Sequence, residues 1–108
     1  MNMYSDPEKF GLTTIGEIDW SDGCYNFDYT VVWKRESDGK FVYAEDSGCS
    51  CPSPFEDAGI SDLTVLRKRG GLEDFKEHCA KRQEDAYDGD RSTEIVALVE
   101  RMYAAGAR

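Results

Sequence analysis

Apolar and polar residues alternate with a period of two through residues 25–33. Tyr25, Phe27, Tyr29, Val31 and Trp33 share one parity; Asn26, Asp28 and Thr30 share the other, with Val32 as an apolar exception. Such a period is that of a half-buried β-strand. Residues 12–20 read alike, with Leu12, Thr14, Gly16, Ile18 and Trp20 on one parity and Ile15 interrupting the polar set. Asp22-Gly23 and Asp38-Gly39 punctuate the pattern, and Asp-Gly readily supplies the positive φ angles of two-residue hairpin turns. Such turns would oppose Trp20 to Tyr25, Ile18 to Phe27, Gly16 to Tyr29 and Leu12 to Trp33. They would also oppose Val42 to Arg35 and Ala44 to Trp33. The large apolar residues then gather on one face, which a slip of one residue would destroy. The prediction is a three-stranded antiparallel meander over about 11–46. The stretch 60–66 adds a short fourth strand or one helical turn.

A meander with one apolar face needs a cover. Residues 95–103 supply Ile95, Leu98, Val99, Met102 and Tyr103 at helical spacing, with Asp90 or Ser92 as cap and Gly106 as terminator. A second amphipathic segment, roughly Leu72 to Ala86, aligns Leu72, Phe75 and Cys79 after the Gly70-Gly71 break, and Asp88-Gly89-Asp90 separates the two. The fold class is therefore α+β: a β-meander covered by two C-terminal amphipathic helices, a single domain over 1–108 with its helical part at about 71–105. Val32, Phe41 and Tyr43 are expected on the exposed opposite sheet face.

Residues 47–59 break every period. Pro52 and Pro54 fix φ and exclude a strand or helix interior, so this Cys/Pro segment reads as a stiff loop, with Phe55 anchoring it to the core.

Composition sharpens the function classes. The chain has 108 residues, 13 Lys+Arg against 22 Asp+Glu and a net charge of -9. Direct nucleic-acid binding is not expected, because phosphate neutralisation needs clustered cations. With 40% hydrophobic residues the chain can build a core, yet it holds no apolar run of membrane-spanning length. Met1-Asn2-Met3-Tyr4-Ser5-Asp6 lacks the order of a signal peptide, which points to a soluble intracellular protein with no membrane partner.

Cysteines stand at 24, 49, 51 and 79. In a reducing cytosol they are free thiols or metal ligands. The predicted register places Cys51 opposite Asn26 and brings Cys24, Cys49 and Cys51 to one end of the sheet. A structural zinc held by these three with Cys79 or His78 is the alternative to no cofactor, though C-x-C is less diagnostic than paired C-x-x-C. Asp46, Glu56 and Asp57 oppose thiolate formation in the loop. The single histidine, His78, reads as a surface residue, and no phosphate-binding or nucleophile-elbow motif is present. No catalytic residue is assigned, and the chain is not expected to be an enzyme. A further alternative is an acidic nucleic-acid mimic that blocks a DNA-binding protein through Glu17, Asp19, Asp28, Glu84, Asp85, Asp88 and Asp90. In the predicted register Glu17 opposes Asp28, a like-charge pair that costs stability.

The loop Asp46-Ser47-Gly48-Cys49-Ser50-Cys51-Pro52-Ser53-Pro54-Phe55-Glu56-Asp57, preceded by Tyr25-x-Phe27-Asp28-Tyr29-Thr30-x-x-Trp33, resembles a family of small uncharacterised actinobacteriophage proteins. The likeness spans roughly Trp20 to Leu66. It implies a phage accessory protein in the host bacterial cytoplasm and supplies no catalytic residues. The expected function is a protein-interaction module acting on a host or phage protein. Its recognition surface would be the rigid 47–55 loop through Ser47, Cys49, Ser50, Cys51, Ser53 and Phe55, because function concentrates on ordered loops held by a scaffold.

Overall fold

The alternating segments form one antiparallel sheet of four strands in sequence order: β1 (Leu12–Asp19), β2 (Asn26–Arg35), β3 (Phe41–Cys49) and β4 (Thr64–Val65). Two helices follow, α1 (Gly71–Asp85) and α2 (Ser92–Ala104). The computed structural model describes residues 2–21, 26–49, 55, 59–85 and 90–107, without the side chains of Cys49 and Asp85. The α+β class and the C-terminal helices are as expected, and the sheet has four strands, the meander being extended by the short strand that is one of the two readings of 60–66. The 60–66 stretch holds both alternatives, a 3-10 turn at Ile60–Asp62 and then β4. Strand β3 runs on to Cys49, three residues beyond the expected end of the meander at 46.

The register departs from the one that two-residue turns would set. Ile18 faces Thr30 rather than Phe27, and Gly16 faces Val32 rather than Tyr29. The Asp22-Gly23 turn itself, with Tyr25, lies outside the described residues. Between Thr14 and Gly16 the ladder shifts, so Leu12 faces Arg35 while Thr14 faces Trp33. This irregularity falls at Ile15, the apolar residue that interrupts the polar set. A bulge adds one residue to a strand and so exchanges its faces. The β2–β3 hairpin closes at Arg35 N–H to Lys40 O (2.7 Å), and Gly39 takes the left-handed conformation (φ 71) in a longer connection over 36–39. Val42 accordingly faces Trp33, and Ala44 faces Val31.

These shifts make the sheet a middle layer. Trp20, Ile18, Val32 and Phe41 bury toward the helices, against Leu72, Phe75 and Cys79 of α1 and Leu98 and Met102 of α2. Trp33, Val31, Leu12, Val42 and Ala44 bury on the other side with Met3 and Phe55. Trp20 and Trp33 therefore lie on opposite faces, which corrects the expectation of one apolar face. Val32 and Phe41, expected to be exposed, are covered by the helices, and Tyr43 is half-buried there. Val31, Val32 and Trp33 are each fully buried, as befits a strand sandwiched on both sides.

The second cover comes from the N-terminal segment. Asn2 Oδ1 accepts hydrogen bonds from Tyr4 N–H and Ser5 N–H (both 2.9 Å), an Asx-type turn that presses Met3 into the core. A 3-10 turn at Pro7–Phe10 then leads through left-handed Gly11 into β1.

The glycine breaks at the helix ends are as expected, but the cap position of α2 is Arg91 rather than Asp90 or Ser92, and its side chain makes no capping bond. Gly70 is left-handed (φ 85) immediately before α1. Asp90 Oδ1 accepts from Ser92 N–H (2.9 Å) at the start of α2. Gly106 (φ 109) lets Ala107 N–H bond back to Met102 O (2.9 Å). Lys34 Nζ adds a cation to that terminus by donating to Ala105 O (2.9 Å). Tyr103 departs from the expected α2 stripe, being 62% exposed.

Candidate functional site

The expected recognition loop begins on a strand. Ser47 is an exposed residue of β3, and Cys49 ends that strand opposite Asn26, the position expected for Cys51. Ser50, Cys51 and Ser53 lie outside the described residues, as does Cys24. Phe55 is described and is 1% exposed. Its ring meets Trp33 edge-on (5.6 Å between centroids) and stacks on Tyr4 (5.9 Å), which itself stacks on Tyr29 (5.5 Å). Its N–H donates to Asp46 Oδ2 at 2.7 Å, and its φ is 61. A left-handed non-glycine residue costs on the order of 1 kcal/mol, and ring burial of about 2–3 kcal/mol offsets it. Phe55 is thus the anchor of the segment and offers no surface of its own, which corrects its place among the recognition residues.

The metal candidates divide. Cys79 sits on the core side of α1 with its thiol pushed up to about 12, first by burial and then by the Glu45 carboxylate. A residue earlier, about 100° around the helix, His78 reaches the rim. Its Nε2 meets Glu45 Oε1 at 3.1 Å, and its ring lies 5.3 Å from Tyr43. Glu45 and Cys49 are four positions apart on β3, roughly 13 Å at strand rise. The structure therefore does not bring His78 or Cys79 to Cys49. Among the described residues no group of three or more His, Cys, Asp or Glu side chains is placed to hold a metal ion.

A polar cluster gathers instead between α1 and the sheet, around Arg82. Its Nη2 donates to Asp28 Oδ2 (2.8 Å) and its Nη1 to Glu45 Oε2 (3.0 Å), while the guanidinium lies 5.0 Å from the Trp20 ring. Trp20 Nε1 donates to Thr30 Oγ1 (2.8 Å), and Thr30 donates onward to Glu45 Oε2 (2.5 Å). Thr30 has 0% exposure, so both roles of its hydroxyl are filled inside the protein. Every group in the chain of contacts has a partner, and the network clamps α1 to β2 and β3. Nothing local to Lys81-Arg82 announces this cluster; the polar Asp28 and Thr30, on the same strand parity as the buried Val32, were the available signal.

Of the acidic candidates, Glu17, Asp19, Asp28 and Asp90 are engaged, Glu84 is exposed, and Asp88 and the Asp85 side chain lie outside the described residues. Glu17 faces Val31 rather than Asp28 and accepts from Tyr4 OH (2.9 and 3.0 Å). Desolvation and that carboxylate raise the Tyr4 phenol well above its usual value. Asp19 Oδ1 accepts from Ser21 N–H and Oγ (2.9 and 2.6 Å). The like-charge opposition that favoured nucleic-acid mimicry is absent. Arg91 fastens the helical layer near this sheet end, donating to Asp19 O and Ser21 O (both 2.8 Å).

The fold and its anchored segment define a class: a small α+β protein with a two-sided antiparallel sheet under a C-terminal helix pair. The whole chain, residues 1–108, matches the model of a family described as a domain of unknown function, DUF7574, and the chain belongs to that family. No match was found among curated proteins or among solved structures. No helix among the described residues is long and apolar enough to cross a membrane.

Proposed function

We propose that the chain is a protein-interaction module whose recognition surface is the segment 47–55, presented to a protein of a bacteriophage or of its bacterial host in the host cytoplasm. The observation that carries this reading is Phe55: a buried aromatic residue at positive φ, held by Asp46, at the end of a proline-containing segment. Backbone strain of this kind persists where the surroundings over-determine it, and it clusters at functional segments. The segment is thereby tied to the sheet at Cys49 and again at Phe55. The resemblance of residues 46–57 to small actinobacteriophage proteins supports the choice of partner. Among the described residues neither zinc binding nor nucleic-acid mimicry has a specific observation in its favour.

The test compares capture by the full chain with capture by the S47A/S50A/S53A variant, each crosslinked in bacterial lysate after their melting temperatures are shown to agree. Loss of a defined partner on these substitutions, with retention in a V96S/Y103S control on α2, is the expected result. Equal capture by both variants would sink the assignment of the segment.

A further inference from the structure

The geometry points to a ligand site for a carboxylate carried on a compact apolar group, at the end of the sheet where the β2–β3 hairpin meets α1 and the chain beyond α2. A cavity of about 250 Å³ opens there. Its walls are Phe41, Leu66, Leu72 and Ala107. These are nearly buried, at 7%, 7%, 8% and 4% exposure, so the cavity opens onto the edge of the helix-side core. Left-handed Gly39 and Gly106 stand at its mouth without side chains to fill it.

The rim is cationic in a chain that is otherwise acidic. Lys40 comes from the hairpin, and Arg67 and Lys68 come from the turn before α1, so basic residues far apart in sequence converge on one opening. Lys34 lies behind it, 5.7 Å from the Phe41 ring. Two cations are already used: Lys34 on Ala105 O, and Arg67 on Asp74 at 2.8 Å. Lys68 forms no ion pair among the described residues; Lys40 forms none at contact distance, though its charge acts on Asp38 of the same hairpin, which Arg35 holds at 2.7 Å.

Size and charge together select the ligand class. A 150 Å³ apolar cavity in another protein takes benzene, and drug-sized ligands need about 300 Å³ or more. A ring or branched chain of about six to ten carbons suits the space between these values. With a net charge of -9, the chain repels anions at long range, and the rim acts only within a Debye length of about 8–10 Å. A bare anion gains too little at such a mouth. An anion that also buries hydrocarbon against Phe41, Leu66 and Leu72 gains from both. The two ammonium groups can hold a carboxylate or a phosphate as point charges, and it is the apolar wall beside them that favours a carboxylate carried on hydrocarbon over inorganic phosphate. The carboxylate belongs to a free small acid or to the last residue of a polypeptide. The site does not depend on the 47–55 surface.

The experiment is a titration of the full 15N-labelled chain with benzoate, benzamide, inorganic phosphate, and a peptide ending in Leu with its C-terminus free or amidated. Saturable shifts at Phe41, Leu66, Lys68 and Ala107 are expected with benzoate, with a dissociation constant on the order of 1 mM, as suits about nine non-hydrogen atoms. Benzamide and phosphate should each bind at least about fivefold more weakly, and the K40M/K68M variant, with an unchanged melting temperature, should lose about fivefold for benzoate. Tighter binding of the free-ended peptide, abolished by amidation, supports the site and assigns its source to a polypeptide terminus; the reverse order supports it and assigns a free acid. Absence of saturation, equal binding of benzamide or phosphate, or an unaffected K40M/K68M variant would overturn it.

Discussion

Replacing Gly16 by alanine would place a methyl group 2.8 Å from Leu98 Cδ1 and 3.1 Å from Arg101 Nη1. Carbon atoms in contact sit near 3.5–4.0 Å, so something must move by more than half an ångström. Arg101 is exposed and can swing away. Leu98 is 1% exposed in the helix-side core and cannot move without disturbing its neighbours. Overpacking of this kind costs about 1–3 kcal/mol, and the smaller backbone freedom of unfolded alanine returns about 0.4–1 kcal/mol. The expected net loss for G16A is about 1.5 kcal/mol, or about 6 °C in Tm for a domain of this size. L98A alone should cost about 3 kcal/mol, through lost burial and a cavity. The double variant removes the methyl that the new Cβ meets and lets that Cβ fill part of the void. It should therefore cost about 3 kcal/mol rather than the additive value of about 4.5 kcal/mol. Urea unfolding of the four proteins, extrapolated linearly with shared slopes, measures the cycle. Additivity within about 0.5 kcal/mol would refute the reasoning that Gly16 exists to let α2 rest on β1.

Cys79 is raised to about 12 by burial, so its neutral form is favoured in the folded state. The stability it contributes is complete below the unfolded thiol value of about 8.5 and declines as pH rises from there toward the folded value, by up to about 1.4 kcal/mol per pH unit. Denaturation between pH 8 and 10 should show a smaller decline for C79V than for the natural chain; parallel curves would contradict it. Arg35 and the Lys40 N–H hold the Asp38 carboxyl well below the usual carboxylate range. Its contribution is present above about pH 4 and is lost on acidification below that, so D38N should flatten the acid limb of an unfolding curve while leaving neutral-pH stability lower. R82M strips Asp28 and Glu45 of their shared cation, and a loss of about 1.5–3 kcal/mol is expected by chemical denaturation, with R82K recovering only part of it.

The order of elements and both helices were legible because each rests on local signals: alternation in β2, the helical stripe through Leu98 and Met102, and glycine breaks at 70 and 106. The two-sided sheet was not. Val32 and Ile15 looked like blemishes in two otherwise regular patterns. Val32 is instead the mark of a strand buried on both faces, and Ile15 marks the irregularity that turns Leu12 away from Ile18 and Trp20. Alternation reports parity within a strand and carries no information on a one-residue shift against its neighbour. The Asp-Gly at 38–39 does lie in a turn, but Gly39 serves a longer connection, and pairing moves by two residues without exchanging faces. That is why the β2–β3 faces were read correctly and the β1–β2 faces were not. The N-terminal cover escaped notice because Met3 and Phe10 belong to no periodic segment. The site residues were legible only in part: Phe55 as an anchor follows from one aromatic ring in a proline-rich stretch, whereas the Arg82 cluster joins residues more than fifty positions apart.

The anchored segment and the cationic cavity should act independently, and the reason is the sheet between them. Phe55 packs with Trp33 and Val42 on the face away from the helices, whereas Phe41, Leu66, Leu72 and Ala107 belong to the helix-side core. Trp33 and Lys34 are adjacent on β2 yet point to opposite sides, so the two regions share backbone but no side-chain layer. A central strand hydrogen-bonded on both edges is a stiff partition, and coupling across it requires an element with two arrangements. K40M/K68M should therefore leave partner capture unchanged, and S47A/S50A/S53A should leave benzoate affinity unchanged to within about twofold, the ordinary scatter of uncoupled sites. A tenfold effect in either direction would mean that ligand and partner address one shared conformational equilibrium, and the sheet would then have to be regarded as the moving part rather than the wall.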